Sequence, residues 1–169
     1  MLEILLLCTT LAQTIGKPAT AEDIRRADIT VFADGKGLPI GKGTATQALS
    51  IYKEKCSECH NEKGEGRERQ YAALVGGVGS LATAKPIKTV GSYWPYATTV
   101  WDYINRAMPY EKPLSLTPDQ VYAVTALLLH WNGIITDTFE LNEKTLPQVK
   151  MPNRDGFIPD ARPYQKLKR

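Results

Sequence analysis

Cysteine, histidine and methionine are all scarce in this chain: three cysteines, two histidines and three methionines among 169 residues. Three cysteines cannot build the paired framework of a disulfide-rich scaffold. The apolar stretch at the N-terminus, Ile4 to Leu11, is far shorter than the about 20 residues that a transmembrane helix requires, so no transmembrane helix is expected. Internal repeats, low-complexity tracts and convincingly alternating strand patterns are missing, which excludes solenoids and most all-β designs. Neither sign of charge dominates, since the net charge is only +3. The excess is local: Met1 to Leu146 is nearly neutral, whereas Pro147 to Arg169 carries six basic residues against Asp155 and Asp160. Prolines interrupt these dispersed charges, which form no recognisable nucleic-acid motif, and no nucleic-acid partner is expected.

What is present is ordinary for one water-soluble domain with a tail: 43% hydrophobic and 23% charged residues. The first 17 residues read as an apolar signal-like segment. Cys8 lies in its apolar core and Thr10-Leu11-Ala12 is a weak cleavage match, with no basic residue ahead of it. Residues 18–43 form an extension with helical character over Pro18 to Asp28, followed by the glycine-rich Ala33 to Gly43. That loop matches neither the Walker nor the dinucleotide spacing and reads as a connector.

Residues 44–135 carry the helical signals. A first helix opens near Thr44 and runs into Cys56, with Ala45, Leu49 and Tyr52 along one face. Gly64 to Gly79 is irregular, with one short helix expected over Tyr71 to Val75, and Pro86 to Pro95 is expected extended. A second helix starts near Thr98 or Thr99 and passes Trp101, Ile104 and Arg106. It ends before Pro109, because the residue preceding proline resists helical geometry. Thr117-Pro-Asp-Gln120 is a capping box with proline at the first helical position, and Gly133 closes the helix it opens. Val121, Val124 and Leu128 share its apolar face with Thr125. Residues 136–169, broken by Pro147, Pro152, Pro159 and Pro163, read as an extended basic arm. The fold class is therefore all-α.

The chemistry concentrates in Cys56-Ser57-Glu58-Cys59-His60, the Cys-x-x-Cys-His signature of covalent haem c attachment. Cysteines three apart on a helical turn face the same way, so both thiols can add to the two vinyl groups of one porphyrin. His60 then follows as an axial ligand. Two other readings compete. A zinc site would need a second pair of ligands, and only Cys8 and His130 remain. A redox dithiol would sit in a βαβ context that the chain lacks. Haem c is favoured, and because bacteria attach it outside the cytoplasm, a periplasmic location is expected. The sixth position could fall to Met108, Met151, His130 or no residue. Met108, held by Pro109 between two helices, suits the loop methionine of small Met/His cytochromes. Met151 lies beyond the last helix, and His130 reads as a packed helix residue. Ser92, Tyr93 and Trp94 carry donors that could hold haem propionates.

With those residues in view, the chain resembles a class I cytochrome c, with Ala48 and Tyr52 where the family's first helix packs on its last and Tyr122 as their partner. More closely, Leu74 to Leu81, Lys88 to Ala97, Trp101 to Pro109, Tyr122 to Gly133 and Met151 to Phe157 are similar to the cytochrome subunit of bacterial sulfur and sulfite dehydrogenases. The resemblance covers roughly Ala33 to Pro163. It implies His60 and Met108 as axial ligands of the single haem. It also implies electron acceptance from a molybdenum-cofactor subunit that oxidises the sulfur compound, and delivery to a downstream cytochrome or oxidase. One Cys-x-x-Cys-His cannot hold the second haem c found in some members. A free periplasmic shuttle, or a haem enzyme or sensor with an open sixth site, remains the alternative.

Overall fold

The computed structural model describes residues 16–68, 70–160 and 162; the signal-like stretch with Cys8 and the last basic residues of the tail lie outside them. Among the described residues, six α-helical segments alternate with turns: α1 Ala21–Ala27, α2 Ala45–Lys55, α3 Ser57–His60, α4 Val90–Tyr93, α5 Ala97–Ala107 and α6 Pro118–Trp131. A two-residue strand, β1 Lys42–Gly43, pairs antiparallel with β2 Leu141–Asn142. The all-α class expected from the sequence is what the chain adopts, with this small pairing added.

The last long helix, α6, is the spine. Its capping box forms as the sequence predicts: Gln120 N–H donates to Thr117 Oγ1 and Thr117 N–H to Gln120 Oε1. Every residue from Val121 to Leu129 is buried. A helix covered on all sides is a core helix rather than a surface one, and α2, α4, α5 and both strands pack against it. On α2 the inward face is Ala45, Ala48 and Tyr52. Leu49, expected on that face, is instead 54% exposed, because α2 turns its small residues toward α6. Just ahead of α2, strand β1 approaches α6 so closely that a Cβ at Gly43 would lie 2.4 Å from Ala123 N. At the other end of α2, Tyr52 meets Trp131 edge to face, ring centroids 4.7 Å apart.

The glycine-rich connector is more than a link. It straps α5 and α6 from outside: Thr98 donates to Ala33 O, Tyr122 to Pro39 O, and Lys42 N–H to Asp119 Oδ1, while Ile29 O, just ahead of the connector, accepts from Arg106 at 3.0 Å. Arg106 also grips Asp102, one turn back on α5, with both Nε and Nη2.

Three expectations need correction. The helix foreseen over Tyr71 to Val75 does not form, because backbone groups in this stretch serve distant partners, Leu74 N–H donating to Gly64 O at 2.7 Å. The extended segment Pro86 to Pro95 contains α4, nucleated by a reciprocal cap. Ser92 N–H donates to Thr89 Oγ1, and Thr89 N–H donates to Ser92 Oγ. A serine in the third helical position is a weaker signal than the usual Glu or Gln. The proline-rich arm is anchored through its first half: Leu141, Leu146, Val149 and Met151 are all buried, with Leu146–Gln148 a 3₁₀ turn. Its prolines break helices but do not keep the intervening apolar residues from the core.

Gly43→Ala should lower unfolding free energy by roughly 1–3 kcal/mol, since the added methyl meets helix backbone that cannot step aside. Urea denaturation of the purified protein measures this, and an unchanged midpoint would contradict so tight a contact.

Candidate functional site

Cys56 caps the end of α2 and begins α3. Its carbonyl accepts from Cys59 N–H at 3.2 Å and His60 N–H at 3.0 Å, so a single turn sets the spacing of all three side chains. Both cysteines are free and half-buried. Burial pushes the Cys56 thiol up to about 11, with Lys55 opposing and Cys59 reinforcing that shift. Among the described residues, no three His, Cys, Asp or Glu side chains gather in a way that could hold a metal ion. The cysteine pair thus stands without the further ligands of a zinc site.

His60 is oriented by the chain that follows it. Its Nδ1 lies 3.3 Å from the carbonyl of Ala72. A carbonyl can only accept, so Nδ1 carries the proton and the Nε2 lone pair is left for another partner. Burial holds the imidazole below its usual range, which favours the neutral ring a ligand must present, while the hydrogen bond to Ala72 opposes that shift. Around it, Tyr52 Oη donates to Asn61 O at 3.0 Å, Asn61 Nδ2 to Gly66 O, and Gly66 N–H to His60 O. Tyr71 stands at the rim, its ring centroid 6.3 Å from that of His60.

The other candidate ligands separate clearly. Met108 ends α5, its N–H donating to Ile104 O, and its side chain is half-buried against the core edge. Met151 is sealed in the core at 1% exposure. His130 turns its Nδ1 to Ile135 O at 3.3 Å, in the turn that follows α6.

The three proposed propionate donors fare differently. Ser92 Oγ donates to Ile87 O at 2.6 Å while accepting from Thr89 N–H, so its one hydroxyl proton is committed to the turn. That removes Ser92 as a donor to a bound group, because a hydroxyl has only one hydrogen to give. Tyr93 lies beneath Lys88 Nζ and against Phe157, and Trp94 packs on Tyr103. Both are half-buried.

The donor set suits an iron porphyrin. Two thiols on one turn are followed by a neutral imidazole with a free Nε2, and a thioether stands at the end of α5. One further observation fits: among the described residues, Trp101 Nε1 is a fully buried donor with no partner. Leaving such a group unsatisfied costs about 1–3 kcal/mol, a cost that a cofactor bringing its own acceptor would remove.

Sequence reasoning overlooked Asn132, whose side chain joins distant parts of this site. Oδ1 accepts from Gly76 N–H at 3.0 Å, and Nδ2 donates to Leu74 O at 3.1 Å and Leu128 O at 2.8 Å. In the sequence it looks only like the end of a helix beside Gly133. The Ala72 carbonyl had no signal at all, since a backbone acceptor leaves no trace in residue type.

Residues 43–128 match the family model described as cytochrome C oxidase, cbb3-type, subunit III. A search of curated proteins gave no match. Among solved structures, the chain is similar to one from the crystal structure of the sulfane dehydrogenase SoxCD from Paracoccus pantotrophus. The two share 40% identity with a TM-score of 0.81, over 88% of this chain and 73% of that one.

Proposed function

The chain belongs to the cytochrome c family, matching the cbb3-type subunit III model over residues 43–128, and from that premise we propose a specific electron-transfer role. It holds one covalent haem c through Cys56 and Cys59, ligated by His60 and Met108, and serves as the electron-accepting subunit of a periplasmic, molybdenum-dependent sulfite or sulfur-compound dehydrogenase. The observation that carries this reading is the neutral His60, turned by Ala72 so that Nε2 is free beside two thiols on the same turn.

The bound haem supplies a one-electron iron couple. The protein's own residues do the rest. Cys56 and Cys59 fix the ring covalently, so the redox centre cannot dissociate between turnovers. The Ala72 carbonyl keeps the Nδ1 proton on His60 and strengthens Nε2 as a donor. Met108 offers a thioether, which favours the ferrous state and raises the potential relative to a second histidine. If His60 and Met108 both bound the iron, they would leave no position for peroxide or oxygen, which would favour relay over catalysis. That choice also disfavours the open-site enzyme or sensor. Tyr93 and Trp94 retain polar tips that could meet propionates; Ser92 does not.

The dehydrogenase assignment is supported by likeness to a chain of SoxCD, a sulfane dehydrogenase. No described helix is long and apolar enough to cross a membrane. A downstream cytochrome or oxidase would then take the electrons. A dedicated subunit needs more contact area than a transient redox encounter, and co-purification distinguishes them. The cytochrome should elute from native extract with a molybdenum-containing partner. Elution always alone would favour the free shuttle.

The ligand choice has its own test. Met108→Leu should lower the midpoint potential and let the ferrous protein bind carbon monoxide, whereas Met151→Leu should leave both unchanged. Reversed results would transfer the ligand role to Met151 and break the assignment.

A further inference from the structure

Asn132 ends α6, yet two of the three hydrogen bonds of its side chain leave that helix. Nδ2 donates to Leu128 O, which caps α6 itself, and also to Leu74 O, 58 residues away in sequence. Oδ1 accepts from Gly76 N–H, 56 residues away. The segment between Ala72 and Gly76 has no regular structure, so these bonds replace the ladder that a helix would have given it. Its other fixings point the same way. Leu74 N–H donates to Gly64 O, Val90 N–H donates to Leu74 O at 3.3 Å, and Thr89 Oγ1 donates to Gly76 O at 2.6 Å. The side chain of Asn132 is itself wedged, since a Cβ at Gly91 would lie 2.4 Å from its Oδ1.

The segment so fastened carries the acceptor for His60. Ala72 stands two residues before Leu74, and its carbonyl receives the Nδ1 proton. The residue before Asn132 reaches the opposite flank of the histidine, because Trp131 packs on Tyr52, which donates to Asn61 O. The end of α6 therefore grips the chain on both sides of His60.

From this geometry we infer that Asn132 is a positioning residue for the axial histidine: its carboxamide holds the 72–76 segment so that the Ala72 carbonyl sets the His60 ring plane. The inference rests on His60 ligating a haem iron, as proposed above. A merely structural role for Asn132 would change stability and nothing else. A positioning role also changes the haem's electronic asymmetry, which follows the orientation of the imidazole plane. It changes the potential as well, because a weaker Nδ1–H···O contact makes His60 a poorer donor and disfavours ferric iron.

The test compares holoproteins by proton NMR of the haem methyl resonances in the ferric state and by redox titration. Asn132→Ala removes all three bonds. Asn132→Asp keeps an acceptor for Gly76 N–H but loses both donors. Gly91→Ala leaves Asn132 in place and pushes it, which keeps the question answerable if the first variant does not fold. Tyr122→Phe is the control, a buried hydrogen bond lost to Pro39 O on a different contact of α6. All three variants should shift the haem methyl pattern, and the uncharged changes Asn132→Ala and Gly91→Ala should raise the midpoint potential, while Tyr122→Phe lowers thermal stability with the wild-type pattern and potential intact. Variants that lose stability yet keep the wild-type pattern and potential would overturn the positioning role. A wild-type protein that matures without haem would instead overturn the functional reading beneath it.

Discussion

The packing of α2 against α6 is the contact on which the rest depends. It joins residues far apart in sequence, and small residues allow it: Ala45 and Ala48 line the inward face of α2, and Gly43 of β1, just before that helix, lies against Ala123. The Cys56–His60 turn continues directly from α2, so fixing that helix on α6 fixes where the thiols and imidazole begin. The far end of α6 then supplies Trp131 and Asn132, which secure the chain after His60 and the carbonyl that orients it. One helix thus places the motif and aims it. The same logic explains why α6 is apolar around its whole circumference: α2, α4, α5 and both short strands need a face of it.

Legibility from sequence followed the range of the interaction. The α6 cap was readable because Thr117, Pro118 and Gln120 lie within one turn, and the end of α5 because Pro109 acts on its immediate neighbour. The Cys-x-x-Cys-His unit was readable for the same reason, as its geometry is set within one helical turn. Leu49 was misplaced since periodicity cannot tell which of two adjacent faces a partner helix will cover. The helix expected over Tyr71 to Val75 was lost to long-range hydrogen bonds from Gly64, Val90 and Asn132, none visible locally. Ser92 illustrates a different limit. Its residue type suggested a donor to a ligand, while its hydroxyl is used inside a capping turn.

The C-terminal segment shows composition and structure diverging. Prolines and basic residues suggested an arm, but Leu146, Val149 and Met151 return it to the core, and Asn153 Nδ2 donates to Tyr93 O at 2.7 Å. Arg154 lies over Tyr96 and Phe157 against Tyr93. Among the tail's described basic residues, Arg154 is therefore held on a segment fastened to α4 and to the start of α5.

The central claim is that Cys56 and Cys59 carry one haem covalently. Intact-mass spectrometry of the mature protein, before and after acid–acetone extraction, addresses it most directly. The account predicts a mass increased by one haem per chain that survives extraction, and a peptide spanning Cys56 to His60 that bears the whole increment. Haem that washes out, or a mature chain with both thiols free, would contradict it.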